Sequence, residues 1–216
     1  MPAQTREDAC YTLEEGHVVL DFINTSYIVF DDAAPYGYRP TDESLTDLPA
    51  LAAWGARIDL LEPSDVATLE HALLPNRLAE LIAFREALRR VIRAHIHEQP
   101  APEECLDIVN QSIRPVLRYT RITPFEGDGF RVQMDCGGPT GDPDLVIDRV
   151  LWAVSQSAIS LLTNVDELAM VQECPGEECG YLFRDTSHGR RRWCSMKTCG
   201  NRAKVQRFRD RQRDVG

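Results

Sequence analysis

Four cysteines near the C-terminus have the spacing of a metal site. Cys174, Cys179, Cys194 and Cys199 form two close pairs, each with four intervening residues, and fourteen residues separate the pairs. Two pairs of thiolates suit a tetrahedral ion that takes four sulfur ligands. A redox-active or disulfide-bonded cluster is the alternative, but the sequence shows no secretory leader, and disulfides belong mainly to oxidising compartments. The spacing therefore predicts one bound zinc ion.

The predicted zinc site is structural. His188, between the two pairs, is an alternative ligand, but four thiols already complete a tetrahedron. A closed tetrathiolate site leaves no position for a catalytic water. Because metal binding supplies much of the folding free energy of small modules, Cys194→Ser is expected to unfold the C-terminal segment and leave the rest folded.

The cysteines lie in the most basic part of the chain. Residues 174–216 contain eleven Lys and Arg against five Asp and Glu, a net charge of +6, whereas the remaining 173 residues carry −16. A basic segment attracts phosphate backbones, and an acidic one repels them. We therefore predict that the C-terminal module contacts DNA. The candidate contacts are Arg190, Arg191, Arg192, Arg202, Lys204, Arg207, Arg209 and Arg211.

The final helix is predicted to have an apolar seam between two basic flanks. At 100° per residue, Val205 and Phe208 fall together and are expected to pack on the zinc core. The flanks consist of Arg202, Arg209 and Arg213 on one side and Lys204, Arg207 and Arg211 on the other. The alternative is a solvated face, partly paired with the acidic body. Trp193 could stack on a base, but packing over the zinc core is favoured.

Composition indicates a soluble protein. The chain has 216 residues, of which 43% are hydrophobic and 27% charged, as in ordinary globular domains. It contains no run of about 18 uncharged apolar residues, so no membrane span is expected. Cys10, Cys105 and Cys136 are scattered, which agrees with a reducing compartment, and a cytoplasmic location is expected.

The chain is expected to divide into a body, residues 1–170, and the C-terminal module, residues 171–216. The body is expected to be mainly helical with one small hairpin. The predicted fold class is therefore α+β. Gly16–Thr25 is compatible with a buried strand or a helix. Residues 31–47 are predicted to be a long loop, and residues 116–136 a β-hairpin around Glu126–Gly129. Helices are predicted over 48–61, 76–97, 103–113 and 145–162. Tyr181–Arg184 is expected to form a strand, with Arg190–Trp193 returning toward the second cysteine pair.

Several short motifs resemble a known family. Trp193-Cys194-Ser195-Met196 and Cys199-Gly200-Asn201-Arg202, with Phe183–Ser187 before them, resemble the CGNR zinc finger. Gly16 and Leu20–Thr25 resemble the opening motif of the ABATE domain, which usually precedes that finger. A zinc knuckle, a hairpin and a helix that carries Cys199 would give a treble-clef-like module. The resemblance implies zinc ligands at the four cysteines, and the DNA binding and stress-linked transcription regulation ascribed to the family.

Asp21, Asn24 and Thr25 form a candidate ligand site. A carboxylate, an amide and a hydroxyl within one or two helical turns could recognise a small polar molecule. Helix capping and buried hydrogen bonding are the alternative, and these residue types do both routinely.

Three classes of function are compatible with these observations to different degrees. The first is a transcription regulator whose body senses a ligand or dimerises, since a homodimer would double the phosphate contacts of one small module. The second is a protein-interaction module whose basic helix binds an acidic partner. The third is an enzyme, which is disfavoured because the sequence has no nucleophile elbow, phosphate-binding glycine loop or HExxH motif.

Overall fold

The computed structural model describes residues 17–213, apart from 125–126, 128, 136–140, 177 and 188. Cys10, Cys136, the alternative ligand His188 and the side chain of Arg213 lie outside the described part. The described residues form an α+β fold of helices with three two-stranded antiparallel sheets. In chain order the elements are α1 (Val18–Ile23), β1 (Ser26–Phe30), β2 (Tyr38–Glu43), α2 (Leu48–Arg57), α3 (Pro63–Glu70), α4 (Pro75–Ile96), α5 (Glu103–Leu117), β3 (Thr120–Pro124), β4 (Phe130–Met134), α6 (Pro143–Thr163), α7 (Val165–Ala169), β5 (Val171–Glu173), β6 (Leu182–Arg184), a π-helical turn (Met196–Gly200) and α8 (Asn201–Arg213).

Helix α4 is the central element of the body. It contacts α1, α5 and α6, and Phe84 and Leu88 on its inner face are fully buried. Proline at the start of α4 suits the first helical turn, where the backbone N–H has no intrahelical partner. The four helices predicted from apolar periodicity are present with shifted ends, because a repeating apolar face identifies a helix better than it fixes its termini.

Two segments of the body add to or differ from the sequence-based expectations. Gly16–Thr25, whose sequence is compatible with either strand or helix, contains the buried helix α1. The prediction of a continuous loop over 31–47 is wrong, since Tyr38–Glu43 pairs with β1 as an antiparallel hairpin. The sequence pattern did not predict β2, because its side chains are mostly polar and exposed and only Tyr38 is buried. The hairpin predicted over 116–136 is present as β3 and β4.

The C-terminal module begins with a hairpin that carries the first cysteine pair. β5 and β6 are antiparallel, and the connection between them contains Cys174 and Cys179. The expected strand at Tyr181–Arg184 is therefore present as β6, but its partner is the preceding β5. Arg190–Trp193 is not a strand. The π-helical turn then carries Cys199 into α8.

The module packs against the body across the boundary predicted at residue 170. Val171 and Leu182 belong to the same hydrophobic core as α1, α4 and α6. The backbone N–H of Ile28 in β1 also donates to the carbonyl oxygen of Cys179, at 3.5 Å. The first half of the module is thus held by the body as well as by its own cysteines.

Helix α6 is long and apolar enough to span a membrane by length and composition. Core helices of soluble proteins pass the same test. Val150, Val154 and Ala158 of this helix are fully buried in the core formed with α1, α4 and α5. The apolar character of α6 is therefore explained by its packing.

Candidate metal centre and nucleic-acid interface

The four cysteine thiols of the module meet in one buried cluster. The Sγ atoms of Cys174, Cys179, Cys194 and Cys199 all lie within 4.8 Å of one another, and all four residues are buried. The Sγ atoms of Cys179 and Cys194 are 3.7 Å apart, and those of Cys194 and Cys199 are 3.6 Å apart. Residues from two separate turns are therefore brought together as the spacing predicted.

These distances fit a zinc tetrahedron. Zn–S bonds of about 2.3 Å give a sulfur tetrahedron with edges of about 3.8 Å. A disulfide needs about 2.05 Å between sulfurs, and the four cysteines are free thiols. The cluster therefore favours a metal over the disulfide alternative.

The surroundings of the Cys174 and Cys199 sulfurs favour the thiolate form, whereas the hydrogen bond that the Cys179 thiol donates to Cys174 raises the pKa of Cys179. The pKa of Cys174 is lowered, chiefly because the Cys179 thiol donates a hydrogen bond to its sulfur, with smaller effects from Cys194 and Cys199. The backbone N–H of Cys194 also points at this sulfur, at 3.5 Å. Arg202 donates from Nη2 to Cys199 Sγ at 3.4 Å. Positive charge and N–H groups around sulfur stabilise the anion that binds zinc.

Local backbone structure in the first turn aims its sulfurs inward. The N–H of Cys179 donates to the carbonyl of Gly176, and the N–H of Cys174 donates to the carbonyl of Tyr181. A Cβ at Gly176 would lie only 3.0 Å from Cys199 Sγ. The glycine therefore leaves room for the second cysteine pair to approach the turn.

Aromatic residues surround the thiols. Tyr181 and Phe183 are buried in the same cluster, and Tyr27 and Trp193 pack against it. The favoured packing role of Trp193 agrees with this arrangement. The expectation that Val205 and Phe208 pack on the zinc core is wrong, since they are 43% and 62% exposed. Tyr27 comes from the body, so the cluster obtains apolar cover from a residue outside the module.

Asp185 organises the turn that carries the three consecutive arginines. Its carboxylate accepts hydrogen bonds from the N–H and Oγ of Ser187 and from the N–H of Gly189, at 2.8, 2.5 and 2.6 Å. Those bonds, with Ser187 the largest cause, lower the pKa of Asp185. The turn thereby fixes where Arg190–Arg192 begin.

The eight basic residues predicted to contact DNA differ in their surroundings. Arg191 is half-buried, donates to the carbonyls of Arg184 and Cys194, and lies 4.5 Å from the ring centroid of Phe183. Together with Arg202, which contacts Cys199, it supports the module itself. Arg202 is nevertheless exposed, as are the other six: Arg190, Arg192, Lys204, Arg207, Arg209 and Arg211.

The candidate ligand residues of α1 are used inside the molecule. Asn24 Nδ2 donates to the Leu182 carbonyl and Asn24 Oδ1 accepts from the Leu182 N–H, at 2.8 and 2.9 Å. Thr25 Oγ1 donates to the Phe22 carbonyl and accepts from Arg85. Asp21 is also buried. Asn24 and Thr25 therefore make the buried hydrogen bonds that were the alternative to ligand binding, and a ligand role for the three residues stays a prediction.

Helix α4 carries a row of buried arginines that the sequence pattern did not predict. Arg85 and Arg89 are fully buried, and Arg93 is 9% exposed. They follow one another at four-residue intervals, so one face of the helix carries all three. That recurrence was the available signal, but charged residues at helical spacing usually indicate a solvated face.

The arginine row connects three parts of the chain. Arg85 makes a bidentate pair with Glu43 of β2, at 2.7 and 2.5 Å. Arg89 Nη2 donates to the carbonyls of Ile23 and Ser26, at 2.5 and 2.9 Å. Burial is the largest single influence on the pKa of both Arg85 and Arg89, and it lowers both. For Arg85 the hydrogen bonds and negative charges of Glu43 and Glu86 together outweigh burial, so the net shift is upward, whereas for Arg89 the net shift is downward.

Arg93 extends the row to the module. Its Nε donates to Glu173 Oε1 of β5 at 2.6 Å, and its guanidinium lies 4.6 Å from the ring centroid of Tyr38. His97, one turn further along, is 3.0 Å from Glu173 Oε2. The strand that leads into the first zinc turn is therefore attached to the central helix of the body.

A tetrathiolate cluster capped by aromatic residues and followed by an exposed basic helix defines the class of structural zinc-finger proteins. Family models give the particular family. Residues 16–165 match ABATE, described as "Putative stress-induced transcription regulator", and residues 170–212 match the CGNR zinc finger. The chain belongs to the ABATE family and carries a CGNR zinc finger at its C-terminal end. No curated protein matches the chain.

The family match and the sulfur geometry together support one structural zinc ion. The four clustered cysteines are the residues that would hold it. Four thiolates would close its coordination, so the ion would stabilise the fold of the module and leave no open position for substrate.

Proposed function

We propose that the protein is a transcription regulator that binds DNA through its zinc module. The observation that carries the proposal is the set of seven exposed basic side chains on a scaffold fixed by the thiol cluster. Exposed lysines and arginines neutralise phosphates and release condensed counterions, which drives binding. The family description agrees with a regulatory role.

The body is proposed to hold the module in place and to sense a ligand or form a homodimer. A ligand at Asp21, Asn24 and Thr25 would have to replace the hydrogen bonds between Asn24 and Leu182. Binding there would consequently alter the contact between the body and the first zinc turn. We propose no catalytic role, since neither matching family is an enzyme family, and we propose that the protein works in the cytoplasm.

The test is DNA binding by the zinc-loaded full-length chain across a salt series. Mixed genomic fragments are captured and the retained ones sequenced, which reports affinity, salt dependence and any preferred sequence. Neutralising Arg192, Lys204, Arg209 and Arg211 with Gln should weaken binding and reduce the slope of log K against log salt by up to about 3.6, or about 0.9 per lost phosphate contact.

The matched control removes the same charge from the body through Arg39, Arg57, Arg114 and Arg118, which are all exposed. This control should leave the DNA affinity within about twofold and the salt slope unchanged, because the proposal assigns no phosphate contact to these four residues. Equal losses in both variants would mean that only net charge matters. Absence of binding at low salt would contradict the proposal.

The second candidate is a protein-interaction module. Val205 and Phe208 are exposed between basic residues on α8, and apolar residues with a charged rim are typical of protein contacts. In this case the helix would bind an acidic partner. A complex that survives nuclease treatment and is lost in Phe208→Ser would favour this function, and a complex lost on nuclease treatment would oppose it.

A further inference from the structure

A cleft separates the first cysteine turn from the C-terminal helix. Its volume is about 810 Å³, within the range of about 300–1,000 Å³ common for binding sites. Pro175 and Gly176 line one wall, and α8 forms the other through Arg202, Val205 and Arg209. The cleft is therefore bounded by elements that the four cysteines hold together.

The lining combines cations with apolar surface. Arg192 lies over the ring of Trp193, with its guanidinium carbon 5.2 Å from the ring centroid, and both residues line the cleft. Val205, which was expected in the zinc core, lines it too. Guanidinium groups bind phosphate, while aromatic rings and guanidinium planes stack on nucleic-acid bases. Among the described residues that line the opposite wall, Glu178 is the acidic one, so phosphates are expected along the helix.

The two flanks of α8 are not equivalent. Arg202 and Arg209 of one flank line the cleft. Of the other flank, Arg207 reaches the cleft, whereas Lys204 and Arg211 do not. An element that reads duplex DNA projects into a major groove about 12 Å wide. The cleft-facing flank cannot project in this way, because the cysteine turn stands opposite it. A single strand, with one backbone and unpaired bases, has the shape to enter.

We propose that this cleft binds a single-stranded segment of nucleic acid, with phosphates at Arg192, Arg202 and Arg209 and a base against Trp193. The inference rests on the proposed function and specifies the form of nucleic acid that the module takes. It also assigns different roles to the two basic flanks, which a general charge effect would not do.

The experiment compares a labelled oligothymidylate of twelve nucleotides with a twelve-base-pair duplex. The zinc-loaded full-length chain is titrated by fluorescence anisotropy, as wild type, as Arg192→Gln/Arg209→Gln and as Lys204→Gln/Arg211→Gln. Each double variant removes two charges, and both are compared at equal zinc content. We expect the wild type to prefer the single strand, the cleft variant to lose about tenfold or more in affinity, and the outer variant to lose less than about threefold.

Three results would overturn the inference and leave duplex binding by the module standing: preference for the duplex, equal losses in the two double variants, or a larger loss in the outer variant. Binding of neither oligonucleotide would overturn both the inference and the proposed function. Polyglutamate would also overturn the inference if, at equal charge, it competed for the cleft as well as unlabelled oligothymidylate does. A peptide offers no bases for Trp193, so equal competition would mean that charge alone is recognised.

Discussion

The side-chain amide of Asn24 pairs with both backbone polar groups of Leu182, at 2.8 and 2.9 Å. Asn24 thus contacts β6 as a neighbouring strand residue would, although it lies at the end of a helix. The two residues are 158 positions apart, and both are buried. This pair of bonds joins the body to the strand that follows the first zinc turn.

Asn24→Ala should destabilise the protein by about 2–4 kcal/mol, because it leaves the buried N–H and carbonyl of Leu182 without partners. Urea unfolding monitored by circular dichroism measures the change. Asn110→Ala, at an exposed position on α5, is the matched control and should stay within about 0.5 kcal/mol. Equal effects of the two substitutions would contradict the structural role of Asn24.

Zinc removal should destabilise the body as well as the module. Val171 and Leu182 belong to the body core, and Tyr27 of the body packs on the cysteine cluster. Because of these contacts, Cys194→Ser is now expected to lower the stability of the body, which the sequence alone had predicted to stay intact. Far-UV circular dichroism, which is dominated by the body helices, should show a lower melting temperature in Cys194→Ser or after chelation.

Cys105→Ala serves as the control for this prediction, since Cys105 is buried in the body away from the cluster. It should keep stoichiometric zinc despite a cavity penalty of about 1 kcal/mol. An unchanged body transition in Cys194→Ser, together with loss of zinc, would restore the original expectation of two independent units.

Gly180 is a second point of close approach between module and body. It has a φ of +55°, and a Cβ there would lie 2.0 Å from Ile28 Cγ1 in β1. Gly180→Ala should therefore combine left-handed backbone strain with a clash. We expect a loss of about 2–4 kcal/mol and faster zinc release to a chelator.

Gly189→Ala separates these two effects. Gly189 has a φ of +83°, but no atom of the described residues lies within 4 Å of the position that an alanine methyl group would occupy. Its substitution should cost about 1–2 kcal/mol from backbone strain alone. If the two alanine variants have the same stability, the close packing of Gly180 on Ile28 contributes nothing.

The sequence predicted those features that depend on local patterns. Cysteine spacing identified the cluster, and apolar periodicity identified α4 and α6. The packing of Val205 and Phe208 was mispredicted because helical periodicity shows which residues share a face but not what that face contacts. Tyr27, from a hairpin about 150 residues earlier, covers the cysteine cluster, and no local pattern contains that information.

The buried arginines illustrate the same limit. Arg89 is fully buried because carbonyl groups from Ile23 and Ser26 converge on it, and burial of a charge is tolerable only with such partners. Those partners are more than sixty residues away in sequence. A helix with recurring arginines consequently looks solvent-exposed until the fold is known.

The ion pair between Arg85 and Glu43 predicts a dependence of stability on acid pH. Burial raises the pKa of Glu43, but hydrogen bonds and charge from Arg85 outweigh burial and lower it overall. A carboxyl with a folded pKa below its unfolded value of about 4.3 stabilises the fold above that value. The stabilisation is lost as the pH falls through the folded pKa.

Glu43→Gln should therefore be less stable than wild type at pH 6, and the difference should shrink toward pH 3. Urea unfolding at several pH values measures it, with Glu70→Gln, an exposed acid on α3, as the control for loss of one charge. A constant difference between Glu43→Gln and wild type across this range would show that the pair does not govern the acid response.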